Sequence, residues 1–328
     1  MTKHLLVTGG AGFIGANFIR YLLENTSYLI TNIDALTYAS NPLTMEQWNN
    51  AKNFRFIRTD ITDRKQVKDV FNTKYDIIIH FAAETHVDRS IKNANPFVHT
   101  NIIGTYHLLE AIMEGRAGKM IHISTDEVYG SLKPTEPPFT EKSPLSPNNP
   151  YSASKASSDL LVYSYYKTYK LPVIITRCSN NFGPYQHPEK FIPKTIALAL
   201  ANRPIPIYGD GKQIRDWLFV EDHCRGIHAS IENGNDGEIY NFGGLNEAKN
   251  IEVAEKILEM IGKDKSLLTF VEDRKGHDRR YSMNWQKASR ELNWKPIVEF
   301  EDGLERTINW YLKNQKWLSY FEQSSGVQ

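Results

Sequence analysis

Cysteine is nearly absent. Cys178 and Cys224 are the chain's 2, too few for a disulfide framework and without paired metal-ligand spacing, so both read as ordinary thiols and no metal is expected. Neither charge is in excess. With 39 Lys and Arg against 38 Asp and Glu, the net charge of +1 gives no bulk reason to expect nucleic acid or a membrane surface as the main partner. No apolar run reaches the ~18 residues that span a bilayer, and Lys3 and His4 lead directly into Leu5-Leu6-Val7 without the apolar core of an export signal. Cytoplasmic residence is the expectation. Internal repeats and low-complexity tracts are missing as well, which leaves ordinary globular packing.

What is present is length and alternation. At 328 residues the chain suits two closely integrated lobes. Short β-rich runs at His4 to Thr8, Tyr28 to Asp34, Phe54 to Asp60, Asp76 to Ala82, Met120 to Ser124 and Val173 to Arg177 alternate with helical stretches such as Ile14 to Leu23, Val98 to Met113 and Ser152 to Tyr169. Several runs are almost continuously apolar, as parallel strands covered on both faces must be. The pattern predicts an α/β fold of Rossmann type, a doubly wound parallel sheet. After about residue 180 the pattern breaks, with Pro184, Pro188, Pro193, Pro204 and Pro206 and later a density of tryptophan (Trp285, Trp294, Trp310, Trp317). This predicts a smaller, irregular α/β lobe ending in an amphipathic helix with the stripe Leu304, Ile308, Tyr311 and Leu312. Ile239 to Phe242 reads as a strand that rejoins the first lobe, so the expected division is 1–180 plus about 216–245 against about 181–215 plus 246–328, with Gln323 to Gln328 a frayed tail.

Gly9, Gly12 and Gly15 follow the first strand and open the helix near Ile14. Glycines there allow a sharp turn and close approach to a pyrophosphate, which the helix N-terminus stabilises. Asp34 ends the second strand 19 residues after Gly15, where a carboxylate accepts hydrogen bonds from a ribose diol. A 2′-phosphate beside it would set like charges together, so NAD is expected over NADP. Asp60 suits an adenine contact or a strand-end cap, and Ala82 and Ala83 either leave room for a dinucleotide or are plain small core residues.

Tyr151 and Lys155 stand at i and i+4 on one helical face, where an ammonium favours the phenolate and lowers its pKa, and the same Lys can hold the nicotinamide ribose. They follow a strand-end Ser124-Thr125. With the glycine turn, this set resembles the extended, nucleotide-sugar branch of the short-chain dehydrogenase/reductase superfamily, in which Thr125 takes the hydroxyl role. Asp126 and Glu127 add two acids, one to protonate a departing hydroxide and one to take a proton from the neighbouring carbon, which together eliminate water. The motifs STDEVYG (124–130), THVDRS (85–90), YSASK (151–155), CSNNFGPY (178–185), RDWLFVED (215–222) and GHDRRY (276–281) are similar to those of the dTDP-glucose 4,6-dehydratase family, in order over nearly the whole chain.

The resemblance implies an NAD-dependent lyase acting on dTDP-glucose, with Thr125, Asp126, Glu127, Tyr151 and Lys155 catalytic. It also implies cofactor contacts from Gly9, Gly12, Phe13, Ile14, Gly15, Asp34, Leu36, Thr37, Asp60, Ile61, Ala82, Ala83, Thr100, Tyr151, Lys155 and Asn181. Substrate contacts are implied for Thr85, Thr125, Asp126, Asn180, Lys190, Phe191, Pro206, Tyr208, Arg215, Asn250, His277 and Tyr281, with Asp216 or Asp222 the competing ion-pair partner of Arg215. About half of the run His277-Asp278-Arg279-Arg280 is expected to touch ligand and the rest to be a solvated face. A homodimer joined through Val98 to Met113 and Ser152 to Tyr169 is likewise implied. Ser40 departs from a Gly usual in the family, and the stretch from Gly130 to Tyr151 is short, which affects a surface loop or lid. The alternatives are another nucleotide-sugar 4,6-dehydratase, a 4-epimerase of the same superfamily and a catalytically silent NAD-binding protein; the acid pair speaks against the epimerase, and the intact Tyr151, Lys155, Asp126 and Glu127 against the silent protein.

Overall fold

Period-2 alternation of aliphatic side chains builds the central layer. Leu5 and Val7 face one core while Leu6 faces the other, and Ile77 and Ile79 are likewise separated from Ile78. In the computed structural model, which describes residues 2–40 and 42–318, these runs pair into one parallel sheet. Its strands are β1 (His4–Thr8), β2 (Leu29–Asp34), β3 (Phe54–Arg58), β4 (Tyr75–His80), β5 (Ala117–Thr125), β6 (Val173–Cys178) and β10 (Ile239–Phe242), in the order β10-β6-β5-β4-β1-β2-β3. Every neighbouring pair is parallel, and the reversal of strand order beside β1 gives the doubly wound Rossmann crevice along the strand C-termini. Ile239–Phe242 does rejoin this sheet, beside β6.

The second part of the chain makes two small sheets. Strands β7 (Asn180–Phe182), β9 (Ile214–Phe219) and β11 (Asn246–Lys249) form one, and β8 (Ile205–Tyr208) pairs with β12 (Leu268–Val271) in the other. Phe182, Trp217, Phe219, Val253, Ile257, Leu304, Ile308 and Tyr311 form a separate core there. Leu304, Ile308 and Tyr311 are buried on the helix Phe300–Lys313 as expected, but Leu312 is 42% exposed: one residue past Tyr311 it has rotated off the buried stripe. Trp294 packs instead under the main sheet, its ring 4.6 Å from Phe242 and its indole N–H donating to the Asp222 carbonyl at 2.9 Å. The expected tail, 323–328, lies outside the described residues. No helix among the described residues is long and apolar enough to cross a membrane.

The helix expected over Val98 to Met113 is two kinds of helix. Residues Val98–Gly104 are wound as a π-helix before regular α-geometry resumes at Thr105–Met113. The wider turn brings Asn101 inward, where it accepts from the Glu84 N–H at 2.8 Å and donates to the Glu84 carbonyl at 3.0 Å and to Ser154 Oγ at 2.8 Å. A loop after β4 is thereby tied to the helix Pro150–Tyr169.

Candidate active site

The glycine turn is built as the spacing predicts. Gly9 has φ of +74°, and a Cβ on it would stand 2.6 Å from the Ala82 nitrogen, so the ends of β1 and β4 approach closely only because no side chain intervenes. A Cβ on Gly15 would stand 2.4 Å from the Gly9 carbonyl oxygen. The helix Phe13–Asn25 starts at Gly12 with no side-chain cap and no acidic residue in its first turn, an N-terminus suited to an anion. Asp34, buried at the end of β2, accepts from the N–H groups of Ala11 at 3.0 Å and Leu36 at 2.8 Å and from Ser40 Oγ at 3.1 Å. Burial raises its pKa and these hydrogen bonds oppose the rise. Ser40, the departure from the family's glycine, thus supports Asp34.

A cavity runs from this turn along the sheet edge. Gly9, Gly12, Phe13, Ile14, Gly15, Asp34, Thr37, Asp60, Ile61, Ala82, Ala83, Thr85, Thr100 and Asn181 line it, and at its far end stand Thr125, Asp126, Glu127, Tyr151 and Lys155. Leu36 does not. With φ of 56° its side chain turns back onto the core under the sheet, and only its N–H serves the site, through Asp34. Asp60 also caps its own turn, accepting from the N–H and hydroxyl of Thr62 at 2.8 Å each, while lining the cavity. Among the lining residues the Lys and Arg side chains are Lys155 and Lys190, neither at the Asp34 end. This fits a dinucleotide with a free ribose diol and lacks a cation for a 2′-phosphate.

The helix Pro150–Tyr169 starts where Asn149 accepts from the Ser152 N–H at 2.9 Å and Pro150 occupies the first turn. Tyr151 and Lys155 then sit one turn apart, 7% and 4% exposed. The Lys155 ammonium donates to the Ile123 carbonyl at 2.8 Å, and burial lowers its pKa to about 8. The expected depression of the Tyr151 pKa is not what the structure produces. Burial raises it well above the usual value, the Glu127 and Asp126 charges raise it further, and a hydrogen bond with Thr125 is the opposing influence.

The acids occupy a short 3-10 helix, Asp126–Tyr129, straight after β5. Thr125 Oγ1 donates to Asp126 Oδ1 at 3.1 Å and accepts from the Glu127 N–H at 3.3 Å. Asp126 is 1% exposed, and its Oδ2 has no protein partner. Burial, then the Glu127 and Asp216 charges, hold its carboxyl well above the ordinary carboxylate range. Burial also raises Glu127, but the Lys190 ammonium and the Ser152 hydroxyl, which donates to Glu127 Oε2 at 3.0 Å, favour its ionised form. Both carboxyls are thus raised by burial, Asp126 well above its ordinary range, while Glu127 has an ammonium and a hydroxyl beside it that support its charge.

A second cavity adjoins the first, sharing Glu127, Asn180, Glu189 and Lys190 with it. Its walls include Phe191, Pro206, Tyr208, Arg215, Asn250, His277, Asp278 and Tyr281. Lys190 Nζ donates to the Thr85 carbonyl at 2.7 Å across the junction. Arg215 pairs with neither Asp216 nor Asp222. Its guanidinium lies 4.5 Å over the Tyr281 ring and donates to the Asp278 carbonyl at 3.1 Å. The charged run divides: His277 and Asp278 line the cavity, Arg279 turns away to Asp210 at 2.9 Å, and Arg280 pairs with Glu247 at 2.6 Å. The stretch between Gly130 and Tyr151 runs mostly exposed over the surface, anchored where Leu132 and Phe139 join Tyr129, Tyr281 and Met283 in one buried cluster.

Several site residues escape sequence reasoning. Glu189 accepts from Tyr38 at 3.3 Å and pairs with His86 and Arg89 at 3.5 Å, linking loops from both lobes. Arg274 lines the second cavity, pairs with Asp88 at 2.6 Å and lies 5.2 Å over Tyr208. Both sit in charged stretches that read as solvated faces; their nearness to Lys190 and to the motif at 276 is the one signal they give.

A profile of the GDP-mannose 4,6 dehydratase family matches residues 6–307. The chain is 48% identical over 336 residues to a dTDP-glucose 4,6-dehydratase of Neisseria meningitidis, covering 96% of this chain and 95% of that one. It is 49% identical over 308 residues to the low-salt glycan biosynthesis protein Agl12 of Haloferax volcanii, covering 94% and 98%. The crystal structure of DesIV, a dTDP-glucose 4,6-dehydratase from Streptomyces venezuelae with NAD and TYD bound, matches with a TM-score of 0.94 at 46% identity, over 97% of this chain and 99% of that one. Fold, site and likeness agree: the chain belongs to the nucleotide-sugar 4,6-dehydratase family that the GDP-mannose 4,6 dehydratase profile describes, on its dTDP-glucose 4,6-dehydratase side.

Proposed function

We propose that this chain is an NAD-dependent dTDP-glucose 4,6-dehydratase, converting dTDP-glucose to dTDP-4-dehydro-6-deoxyglucose and water. The observation that carries this reading is the Asp126–Glu127 pair, two adjacent carboxyls at the end of the cavity that also holds Tyr151 and Lys155. A 4-epimerase has no use for it. Gly9, Gly12, Gly15 and the helix start would hold the cofactor's pyrophosphate, Asp34 its adenosine ribose, and Lys155 its nicotinamide ribose. When bound, NAD supplies a cationic ring that takes a hydride from C4 and returns it to C6, and its charge favours a Tyr151 phenolate.

Tyr151 takes the C4 hydroxyl proton. The resulting ketone acidifies the C5 proton, which Glu127 removes while Asp126 protonates the departing C6 hydroxyl. Glu127 later returns its proton to C5. Each turnover therefore leaves Tyr151 with one proton more and Asp126 with one fewer. Thr125, hydrogen-bonded with Tyr151 and donating to Asp126 Oδ1 at 3.1 Å, lies on the path by which that proton goes back. Lys190, Arg215 and Arg274 line the second cavity and suit the nucleotide diphosphate, a guanidinium binding phosphate oxygens in a fork.

The lobe division assigned to these roles is 1–180 plus about 216–245 for the cofactor and about 181–215 plus 246–328 for the substrate. The pairing of β9 with β7 and β11 supports setting the second crossing nearer Val220. We also propose a cytoplasmic homodimer, supported by the exposed Val98, Ile103 and Met113 on one surface helix and Leu160, Tyr163 and Tyr169 on another. The test of the activity is to incubate the protein with dTDP-glucose. Loss of one water from the sugar nucleotide together with the alkali-induced absorbance of a 4-keto sugar supports it, and an unchanged mass removes it.

A further inference from the structure

The two catalytic pairs stand on different elements, Tyr151 and Lys155 on the helix Pro150–Tyr169 and Asp126 and Glu127 on the 3-10 helix Asp126–Tyr129. Arg177, on β6, connects them. It lies opposite Ser124 in the β5–β6 register, one residue before Thr125, and is 3% exposed. Its Nε donates to Asp159 Oδ2 at 2.8 Å, and Asp159 is one turn beyond Lys155 on the catalytic helix. Its Nη1 donates to the Tyr129 hydroxyl at 2.8 Å, and Tyr129 is the last residue of the helix bearing the acids. The Tyr129 hydroxyl donates onward to Asn241 Oδ1 at 2.9 Å, and its ring stacks on Phe139 at 5.0 Å.

A guanidinium is a rigid planar fork, so its two ends fix the angle and separation of the groups they hold. We infer that the buried bridge Asp159–Arg177–Tyr129 is a positioning device that sets the acid pair against the Tyr151–Lys155 pair, so that oxidation at C4 and elimination across C5 and C6 act on one sugar pose. The roles of the two pairs are those proposed above. None of the three bridge residues lines either cavity, so their effect is through Asp126, Glu127 and Lys155. The need is physical: an ångström of misplacement costs a proton transfer up to ~100-fold.

Tyr129→Phe removes one hydroxyl, breaks the acid-pair end of the bridge and keeps the ring stack. Two rates are measured with dTDP-glucose on the cofactor-loaded protein: reduction of bound cofactor in a single turnover, and incorporation of solvent deuterium at C5. The expected result is a reduction rate within ~2-fold of wild type and C5 exchange slowed by ~10-fold or more, so that reduced cofactor accumulates. Arg177→Lys keeps the charge beside Asp159 without the fork and should show the same split; should it fail to fold, Tyr129→Phe alone decides. Equal slowing of both steps, or of neither, overturns the inference. A wild-type protein that leaves dTDP-glucose untouched removes the dehydratase reading instead, and the two failures are distinct.

Discussion

Ser152 donates a hydrogen bond to Glu127 Oε2 at 3.0 Å from the position next to Tyr151. The residue that adjoins the proposed C4 base therefore holds the proposed C5 base, and the Glu127 carboxyl is aimed before any sugar arrives. Glu127→Gln keeps the shape and removes the basicity. It should lower kcat by about 10²- to 10⁴-fold and suppress deuterium exchange at C5, with bound NAD retained. Exchange at the wild-type rate would take Glu127 out of the base role.

Tyr151→Phe removes the proposed acceptor of the C4 proton while burying the same ring beside Phe97, 6.3 Å away. Cofactor reduction in a single turnover should fall by about 10²-fold or more, with the far-ultraviolet circular dichroism unchanged. Reduction at the wild-type rate would contradict the assignment.

Thr125 is expected to return a proton from Tyr151 to Asp126 once per cycle. Thr125→Val, close in shape but without a hydroxyl, should lower kcat by about 10²-fold, and Thr125→Ser should restore it to within about 10-fold. A Val variant as active as the Ser variant would show that the hydroxyl carries nothing.

Asp216 is buried, accepting from the N–H groups of Gly244 at 2.9 Å and Met283 at 3.2 Å, and burial raises its pKa to about 7. In the unfolded chain it titrates near 3.9. Between about pH 4 and about pH 7 the native state thus holds a proton that the unfolded state has lost, and stability contributed by Asp216 falls as pH rises through that window. Asp216→Asn cannot ionise. Its Tm relative to wild type should therefore rise between about pH 4 and about pH 7 and level off above, and a constant difference would show that Asp216 is ionised throughout.

Gly15→Ala would drive a Cβ to 2.4 Å from the Gly9 carbonyl and 2.8 Å from Gly10 Cα, both backbone atoms that cannot move aside cheaply. The variant should elute from gel filtration without NAD and melt several degrees lower, as a loss of 1 to 3 kcal/mol would give. Retained cofactor would mean that the turn can widen.

Much of this was legible in the residues because it is local. Aliphatic runs such as Ile77-Ile78-Ile79 define two-faced strands, and Gly9, Gly12 and Gly15 define the turn that follows one, so sheet and cofactor cavity could be drawn from spacing. What escaped depends on distant partners. Lys155, four residues away, predicts a depressed Tyr151 pKa, whereas burial and then the Glu127 charge, both products of the fold, raise it. Arg279 and Arg280 look alike in sequence to neighbours that line the cavity, and only the positions of Asp210 and Glu247 draw them off. Likeness implies a cofactor contact for Leu36, and nothing in its sequence neighbourhood signals the left-handed backbone that turns its side chain to the core. The π-helical turn that brings in Asn101 has no signature in the apolar periodicity of Val98 to Met113.

The central claim is that Asp126 and Glu127 expel water from a sugar oxidised at C4 by a hydride that never leaves the site. Turnover of dTDP-glucose deuterated at C4, in ordinary water, tests it most directly. The account predicts a product lighter by one water with the deuterium at C6. A product that has lost no water, or one with the label washed into solvent, would contradict it.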